Sequence, residues 1–433
     1  MSGIQSLYQH YLNHPTICTD TRNIIKGCLF FALKGEKFDA NTFAGEALKQ
    51  GAAYVIIDNE TYQTDVHCIL VPDVLTTLQD LARHHRNQLK IPVVGLTGSN
   101  GKTTTKELIN AVLQQKYKAF ATKGNLNNHI GVPLSILSIT AATEIAVIEM
   151  GANHQKEIEL LCDIARPTHG LITNVGMAHL DGFGGFEGVK KGKAELYTYL
   201  KKYDGTAFVN KNSADLMDMC EKTGLEQVIY YGTESDNTIS GALNKSDPFI
   251  GLVWSSKEGS FNTEVHLTGS YNFENILAAI CIGNFFGISP EGINAGLSGY
   301  QPNNNRSQLT KTTTNTVICD FYNANPSSMA AALKNIELLT GTHKTVIIGD
   351  MFELGEASQS QHQQLIEQAE KLNLDTLIFI GKYFFEARQT GKGHFFNTPA
   401  EAQAFLSQHP VRNSLVLLKG SRGMALEQLL PLL

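Results

Sequence analysis

Val93-Val94-Gly95-Leu96-Thr97-Gly98-Ser99-Asn100-Gly101-Lys102-Thr103-Thr104 is the stretch on which the reading of this chain turns. Its apolar and β-branched start predicts a buried strand, its glycines a tight turn, and the run from Lys102 a helix. Gly98 and Gly101 allow a backbone fold tight enough for successive N–H groups to surround phosphate oxygens. The N-terminus of the helix adds partial positive charge at the same place. Lys102 is placed to reach terminal phosphates, and the Thr103 hydroxyl to ligate Mg²⁺. Ser99, Asn100 and Thr104 complete the candidate nucleotide-binding loop. The strict G-x-x-x-x-G-K-[ST] spacing would need glycine where Leu96 stands; the glycines fall at 95, 98 and 101 instead.

Outward from this loop, apolar strand candidates alternate with helical stretches: Ile145–Glu149, a helix from Gln155, then Gly170–Asn174. Such alternation predicts an α/β unit with a mainly parallel sheet and helices on both faces. Thr206–Thr268 reads as an antiparallel subsheet of the same unit, followed by a helix over Phe273–Phe286. Before the loop, short β-like runs at Cys28–Leu33 and Ala53–Ile57 and a helix over Leu75–Leu89 predict a small N-terminal α/β domain. After the turn-rich Pro302–Asn305, strands at Val317–Asp320, Thr345–Gly349, Thr376–Gly381 and Leu415–Lys419 predict a C-terminal Rossmann-like α/β domain. The expected division is 1–90, 91–302 and 303–433, which suits a chain of 433 residues.

Composition narrows the function. With 42% hydrophobic and 18% charged residues the chain is an ordinary globular one. A formal net charge of -6 lacks the basic footprint of a nucleic-acid binder. Seven scattered cysteines without a C-x-x-C pair predict a reduced, cytoplasmic protein with neither a disulfide framework nor a zinc site. Met1 to Arg22 shows no basic segment followed by an apolar run, so no signal peptide is expected. The most apolar helical stretch, near Ile276–Ile288, is interrupted by Gly283 and Asn284 and too short to span a bilayer.

Further candidates lie downstream. Glu149 ends a buried strand, where ligands collect in open α/β sheets, and could hold a magnesium ion; read alone, it is as readily a solvated strand-end carboxylate. His179 follows another apolar strand, and Lys190, Lys191 and Lys193 share a helix with Tyr197. Taken alone, a histidine is more often structural and such lysines solvated.

Taken together, these segments resemble the Mur ligase family, whose phosphate loop has the form T-G-x-x-G-K-T, shared with folylpolyglutamate synthetases. The resemblance extends over nearly the whole chain. It implies that His179 stands near a second Mg²⁺. It also implies that one lysine of the helix is carbamylated into a metal ligand; an aromatic residue four positions later favours Lys193 over Lys190 and Lys191.

Four further segments resemble the branch of the family that adds D-alanyl-D-alanine. Thr19-Asp20-Thr21-Arg22 with Gly27–Ala40 looks like a UDP-sugar-recognising domain, which folylpolyglutamate synthetases lack; Ala40 and Asn41 depart from its usual glycine and histidine. Lys123–Pro133, carrying Asn125, Asn127 and Asn128, is close to N-L-N-N-x-I-G-x-P. Tyr271-Asn272-Phe273-Glu274-Asn275 resembles an adenine-meeting H-N-x-x-N with tyrosine for histidine, so only Asn272 and Asn275 carry over. Asp320-Phe321-Tyr322-Asn323-Ala324-Asn325-Pro326, preceded by Arg306, matches Y-N-A-N-P; Arg306 and Asp320 match the pair that meets the γ-phosphate and the ribose. Two later segments also match: Gly349-Asp350-Met351-Phe352-Glu353-Leu354-Gly355, and one that carries Lys419, Ser421 and Arg422. The D-N-P-R string of the diaminopimelate-adding member is absent.

The resemblance thus implies an enzyme of peptidoglycan precursor synthesis. It would join D-alanyl-D-alanine to the carboxylate of UDP-N-acetylmuramoyl-tripeptide, with ATP, two Mg²⁺ and an acyl-phosphate intermediate. Domain 1–90 would bind the UDP-sugar, 91–302 ATP and 303–433 the dipeptide, in a monomer. Lys102, Lys193, His179 and Arg306 would be the catalytic set. The competing readings are another Mur-type ligase acting at the tripeptide-forming step, an amide ligase acting on folate, and a non-catalytic P-loop nucleotide-binding protein.

Overall fold

The structure, a computed structural model, describes residues 3–388 and 392–433, so the first two residues of the N-terminal stretch read for a signal peptide lie outside it. Three main sheets follow one another along the chain, and each takes its place from runs of buried β-branched and aliphatic residues.

The first sheet has four parallel strands in the order Ile17–Cys18, Leu29–Phe31, Tyr54–Ile57 and Cys68–Leu70. Asp73 accepts a hydrogen bond from Thr76 N at 2.6 Å and so starts the helix Val74–Gln88. That helix buries Val74, Leu78, Leu81 and Ala82 in a core continuous with one face of the central sheet. Polar ties cross the same junction. His85 Nε2 meets Ile139 O at 2.9 Å, and Tyr11 OH donates to Leu137 O at 2.6 Å. The N-terminal unit is therefore seated on the central one by apolar packing with satisfied polar groups.

The central sheet has nine strands. The phosphate-loop strand Val93–Thr97 lies between Ile145–Glu149 and His169–Ile172, all parallel. Three segments distant in sequence thus end side by side at one sheet edge, where a doubly wound sheet binds its ligand. One correction concerns Thr206–Thr268. Thr206–Asn210 and Val228–Gly232 continue the parallel run, with helix Ala214–Thr223 between them. Only Ile239–Lys245, Ile250–Ser256 and Gly259–Val265 pair antiparallel, and they extend the same sheet. Short β-rich runs look alike in sequence whichever way they pair. The helix read from Gln155 begins at Glu157, because Lys156 takes a left-handed φ of 73° and caps it.

Helix Phe273–Phe285 is apolar all round because it is sandwiched: Ile276, Leu277, Ile280 and Ile282 all belong to the core on the phosphate-loop-helix side of the sheet. Among the described residues no helix is long and apolar enough to cross a membrane. All seven cysteines are buried free thiols.

The third sheet orders Gln308–Lys311, Thr316–Asp320, Ser414–Lys419, His343–Gly349, Thr376–Ile380 and His394–Phe396, parallel except for the first pair. Asp320 and Lys419 end neighbouring strands in register. Helix Pro326–Leu338 starts from a capping box between Asn325 and Ser328, with proline at its first position.

Candidate active site

The phosphate loop owes its shape to two glycines. Gly98 has φ +145°, and a Cβ there would meet Thr173 Oγ1 at 2.0 Å; Gly101 has φ +75° and lies against the Asn275 side chain. Neighbouring strand ends tie the loop down. Asn100 N donates to Asn174 Oδ1 at 2.9 Å, and Ser99 Oγ donates to Gly176 O at 3.1 Å. Lys102 Nζ folds back onto Gly98 O at 2.6 Å and Ser99 O at 3.2 Å. Burial lowers its pKa to about 8, against the pull of Glu149, with Arg306 pushing the same way as burial. A cation held mainly by carbonyl oxygens is ready to exchange them for phosphate oxygens.

Glu149 is almost wholly enclosed, at 1% exposure. Its Oε1 accepts from the Thr103 hydroxyl at 3.1 Å and from Asn127 Nδ2 at 2.9 Å. Its Oε2 has no hydrogen-bond partner among the described residues, with Lys106 Nζ at 3.7 Å. An orphaned buried carboxylate oxygen beside a threonine hydroxyl suits Mg²⁺, which is usually held by one or two carboxylates together with substrate phosphates. Among the described residues no group of three or more His, Cys, Asp or Glu is arranged to cage a metal. Thr103 and Glu149 would supply part of a coordination shell and the phosphates the rest.

Around these groups opens a cavity of about 980 Å³. The loop residues Ser99 to Thr104 form one wall; Asn125, Asn127, Asn128, Glu149 and His179 form another. Asn272, Asn275, Arg306 and Asp320 line the same space, as do Tyr322, Asn323, Asn325 and Lys419. Of the sequence-predicted residues, Gly98, Thr21, Arg22, Lys193, Ser421 and Arg422 are not on its surface. Gly98 shapes the loop from behind. Arg22 is exposed and paired with Asp20 at 2.7 Å, a contact that lowers the Asp20 carboxyl to about 2. Ser421 is buried and accepts from Phe352 N at 3.1 Å, while Arg422 faces Glu427 at 3.6 Å.

The lysine helix Phe186–Lys202 separates its three candidates. Lys190 reaches Asp215 at 2.6 Å, which raises its pKa, and Lys191 is exposed. Lys193 is 2% exposed, sits 5.1 Å from the Phe183 ring centre and has Ala152 O at 3.5 Å. Burial first, and Lys102 second, lower its pKa to about 7.

The far wall comes from the third sheet. The Arg306 guanidinium stacks on Tyr322 with its carbon 3.8 Å from the ring centre, and its buried Nε is unpartnered. Asp320 Oδ2 accepts from Lys419 Nζ at 2.7 Å. Asn272 Oδ1 accepts from Asn275 Nδ2 at 2.9 Å, and Asn272 Nδ2 donates to Thr268 O at 2.9 Å. Tyr271 OH meets Ser307 Oγ at 2.9 Å. Asn128 is a turn former here, its Oδ1 accepting from Gly131 N at 2.8 Å.

Asn325 has two tasks. Its Oδ1 caps its own helix by accepting from Ser328 N at 2.9 Å, and its Nδ2 donates to Asn100 Oδ1 in the phosphate loop at 2.8 Å. Asn325→Ala should lower stability by about 1 kcal/mol through the lost cap and should also lower turnover. Asn325→Ser keeps a cap but is too short for Asn100, so it should melt near the unsubstituted chain and still turn over slowly. Thermal melts set beside turnover rates check this; equal losses of turnover and melting temperature in Asn325→Ala, with Asn325→Ser unaffected, would leave the cap as its only role.

Sequence reading missed Lys106, Glu157 and Glu353. Lys106 lies one helical turn beyond Lys102, a spacing visible in sequence. Glu157 Oε2 accepts from Asn153 N at 2.6 Å at the cavity edge. Glu353 belongs to the third unit, yet its Oε2 lies 2.5 Å from His179 Nδ1.

Residues 96–283 match the Mur ligase middle domain, and residues 305–422 match the Mur ligase, glutamate ligase domain. The chain is similar to the UDP-N-acetylmuramoyl-tripeptide–D-alanyl-D-alanine ligase of Bacillus subtilis (strain 168), with 35% identity over 95% of this chain and 92% of that one. The chain belongs to the Mur ligase family. Among solved Mur ligases, it superimposes on MurF from Acinetobacter baumannii with a TM-score of 0.87 and 32% identity, over 96% of this chain and 92% of that one. The MurF ligase of Thermotoga maritima in complex with ADP gives a TM-score of 0.86 at 27% identity, over 100% of this chain and 98% of that one. In this Mur ligase the phosphate loop, Glu149 and His179 share one cavity with Arg306 and Asn325 of the third unit.

Proposed function

We infer that this Mur ligase is an ATP-dependent enzyme joining D-alanyl-D-alanine to the carboxylate of UDP-N-acetylmuramoyl-tripeptide, with release of ADP and phosphate, in peptidoglycan precursor synthesis. The observation that carries this reading is the Asn325–Asn100 contact, which brings the Tyr-Asn-Ala-Asn-Pro segment onto the phosphate loop across the cavity. The full-length similarity to D-alanyl-D-alanine ligases supports the same substrates.

In the first step a carboxylate oxygen of the tripeptide attacks the γ-phosphorus of ATP. The bond to the ADP oxygen breaks, leaving an acyl phosphate. In the second, the amine of D-alanyl-D-alanine attacks the acyl carbon, phosphate leaves and the nitrogen loses a proton. Such chemistry asks for alignment and charge neutralisation more than for a protein nucleophile. Lys102 and the loop N–H groups would hold the phosphates. Arg306, with its unpartnered Nε, would add positive charge from the third unit. Asn127 holds Glu149 in place, and Asn272 and Asn275 offer neutral polar groups to the adenine. Bound at Thr103 and Glu149, with His179 and a carbamylated Lys193 serving a second ion, magnesium would screen the repulsion between carboxylate and phosphate. Tyr322, Asn323 and Lys419 would serve the substrates, as would Thr21, Arg22, Asn125, Ser421 and Arg422.

We assign the UDP-sugar to residues 1–90, ATP to 91–302 and the dipeptide to 303–433, in a cytoplasmic monomer. The test is phosphate release with UDP-linked tripeptide, D-alanyl-D-alanine and ATP, against a control without the dipeptide. Release that needs the dipeptide is expected. Equal release without it, or a preference for a single amino acid or a folate substrate, overturns the assignment.

A further inference from the structure

Glu353 and His179 come from different units, and each holds an unusual backbone conformation at the point where they meet. His179 has φ +52° and caps the short helix Leu180–Phe183; Glu353 has φ +63°. Left-handed φ at residues with a Cβ is uncommon and persists where the surroundings hold it. Those surroundings are visible for Glu353. Asp350, 2% exposed, accepts from Tyr383 N and Phe384 N, both at 3.0 Å. Met351 N donates to His362 Nε2 at 3.0 Å, and Phe352 N to Ser421 Oγ at 3.1 Å. Just beyond Glu353, Gly355 lies so close to Asp181 that a Cβ would meet its carboxylate oxygen at 3.0 Å. The loop is therefore fastened to the third unit by its backbone, and it presses on the segment that carries His179. The Glu353 side chain is 57% exposed, and that of His179 22%. Neither is a core residue.

We propose that Glu353 is a positioning residue of this active site: with the third unit seated on the central one, its carboxylate stands against Nδ1 of His179 and leaves Nε2 as the ring nitrogen turned to a ligand. The approach is 2.5 Å, though Nδ1 is not aligned as a hydrogen bond to it. A carboxylate behind a histidine fixes ring orientation and tautomer, the usual arrangement behind histidines that bind metals. Here the carboxylate arrives from another unit, so His179 is oriented only when the two units meet. The inference deepens the proposed function and rests on it for the role of His179.

The test uses the full chain with Glu353→Ala, Glu353→Asp and Glu353→Gln. The ¹⁵N signals of the His179 ring, assigned by their loss in His179→Gln, are read without nucleotide or metal. Expected is a change in the proton distribution over Nδ1 and Nε2 in Glu353→Ala, with Glu353→Asp restoring part of it. In turnover, Glu353→Ala should lower kcat by about 10- to 100-fold and raise the Mg²⁺ concentration for half activity, with the KM for ATP little changed. An unmoved ring signal overturns the pairing, whatever the activity. A moved signal with unchanged kcat and Mg²⁺ dependence overturns the positioning role. Should the unsubstituted chain fail to join the tripeptide and dipeptide, the function assignment falls, while the ring signal still decides whether the pair exists.

Discussion

Lys102→Ala should reduce ATP turnover by on the order of 10²-fold or more while the chain stays folded. The two halves of this expectation have separate causes. Turnover falls because Lys102 is the cation folded over the loop, its Nζ resting on Gly98 O and Ser99 O, where phosphate oxygens would take their place. Arg306 stands across the cavity and is stacked on Tyr322. It cannot supply a second charge at the lysine's position. Folding survives because the loop does not depend on that side chain. Gly98 packs against Thr173, Thr173 Oγ1 donates to Asn100 O at 2.6 Å, and Asn174 holds Asn100 N. Lys102 is also the first residue of helix Lys102–Leu113, a position where alanine is well tolerated. Steady-state phosphate release and a thermal melt on the same preparation check both halves. A near-unsubstituted rate from a folded variant would reject the phosphate-holding role of Lys102.

The part of the site legible in sequence is the part whose geometry is local. The strand from Val93, the glycine turn and the helix from Lys102 are adjacent in the chain, so composition and spacing define them. Glu149 was legible as a strand end. That Val93–Thr97 lies between the strands ending at Glu149 and Ile172 was not, because strand order is set by packing across the whole sheet. Strands as short as Ile17–Cys18 and Cys68–Leu70 carry too few residues to show a period. Lys106 was in view one turn beyond Lys102, but only the folded helix shows that this face turns toward Glu149. Glu353 lies in Gly349–Gly355, a segment that fits the family pattern, but nothing in the sequence pairs it with His179. Its partner lies in another unit, and no periodicity links them. Asn128 shows how one side chain can do local work and still face the cavity: its Oδ1 accepts from Gly131 N in the turn, and the residue lines the site.

The contacts between the units give the cavity a physical reason to assemble late. Asn325 on Asn100, and Ser327 Oγ accepting from Met177 N at 3.2 Å, place the start of one helix against the phosphate loop and the segment leading to His179. These contacts are polar, whereas the N-terminal unit shares an apolar core with the central sheet. Contacts of this kind exchange readily for solvent. A third unit that seats and unseats would admit substrates and then close the charged wall formed by Arg306.

The other large effect is expected from Lys193→Ala: a loss of turnover on the order of 10²-fold, partly restored by short carboxylic acids such as acetate. The amine of Lys193 is enclosed between Ala152 O and the Phe183 ring, with no carboxylate among the described residues at ion-pair distance, unlike Lys190 on Asp215. Enclosure favours the uncharged form, and the pKa falls to about 7. An uncharged amine can attack the carbon of CO₂; the N–C bond forms as one C=O π bond opens onto its oxygen, one proton leaves the nitrogen, and the neutral amine becomes a carbamate anion. That change would add negative charge beside Ala152, which lines the cavity that a magnesium ion would share. Alanine removes both the amine and the carbamate, and acetate can restore the carboxylate but not the tether, hence partial rescue. Lys190→Ala and Lys191→Ala should keep their activity, because one side chain is paired on the surface and the other is exposed. ¹³C-labelled bicarbonate should give a carbamate signal in the unsubstituted chain that disappears in Lys193→Ala. Removing a buried side chain can also weaken packing, so melting temperature is followed alongside. A folded Lys193→Ala with full activity, or an impaired one that no carboxylic acid restores and a carbamate signal that persists, would show that Lys193 is not the modified residue.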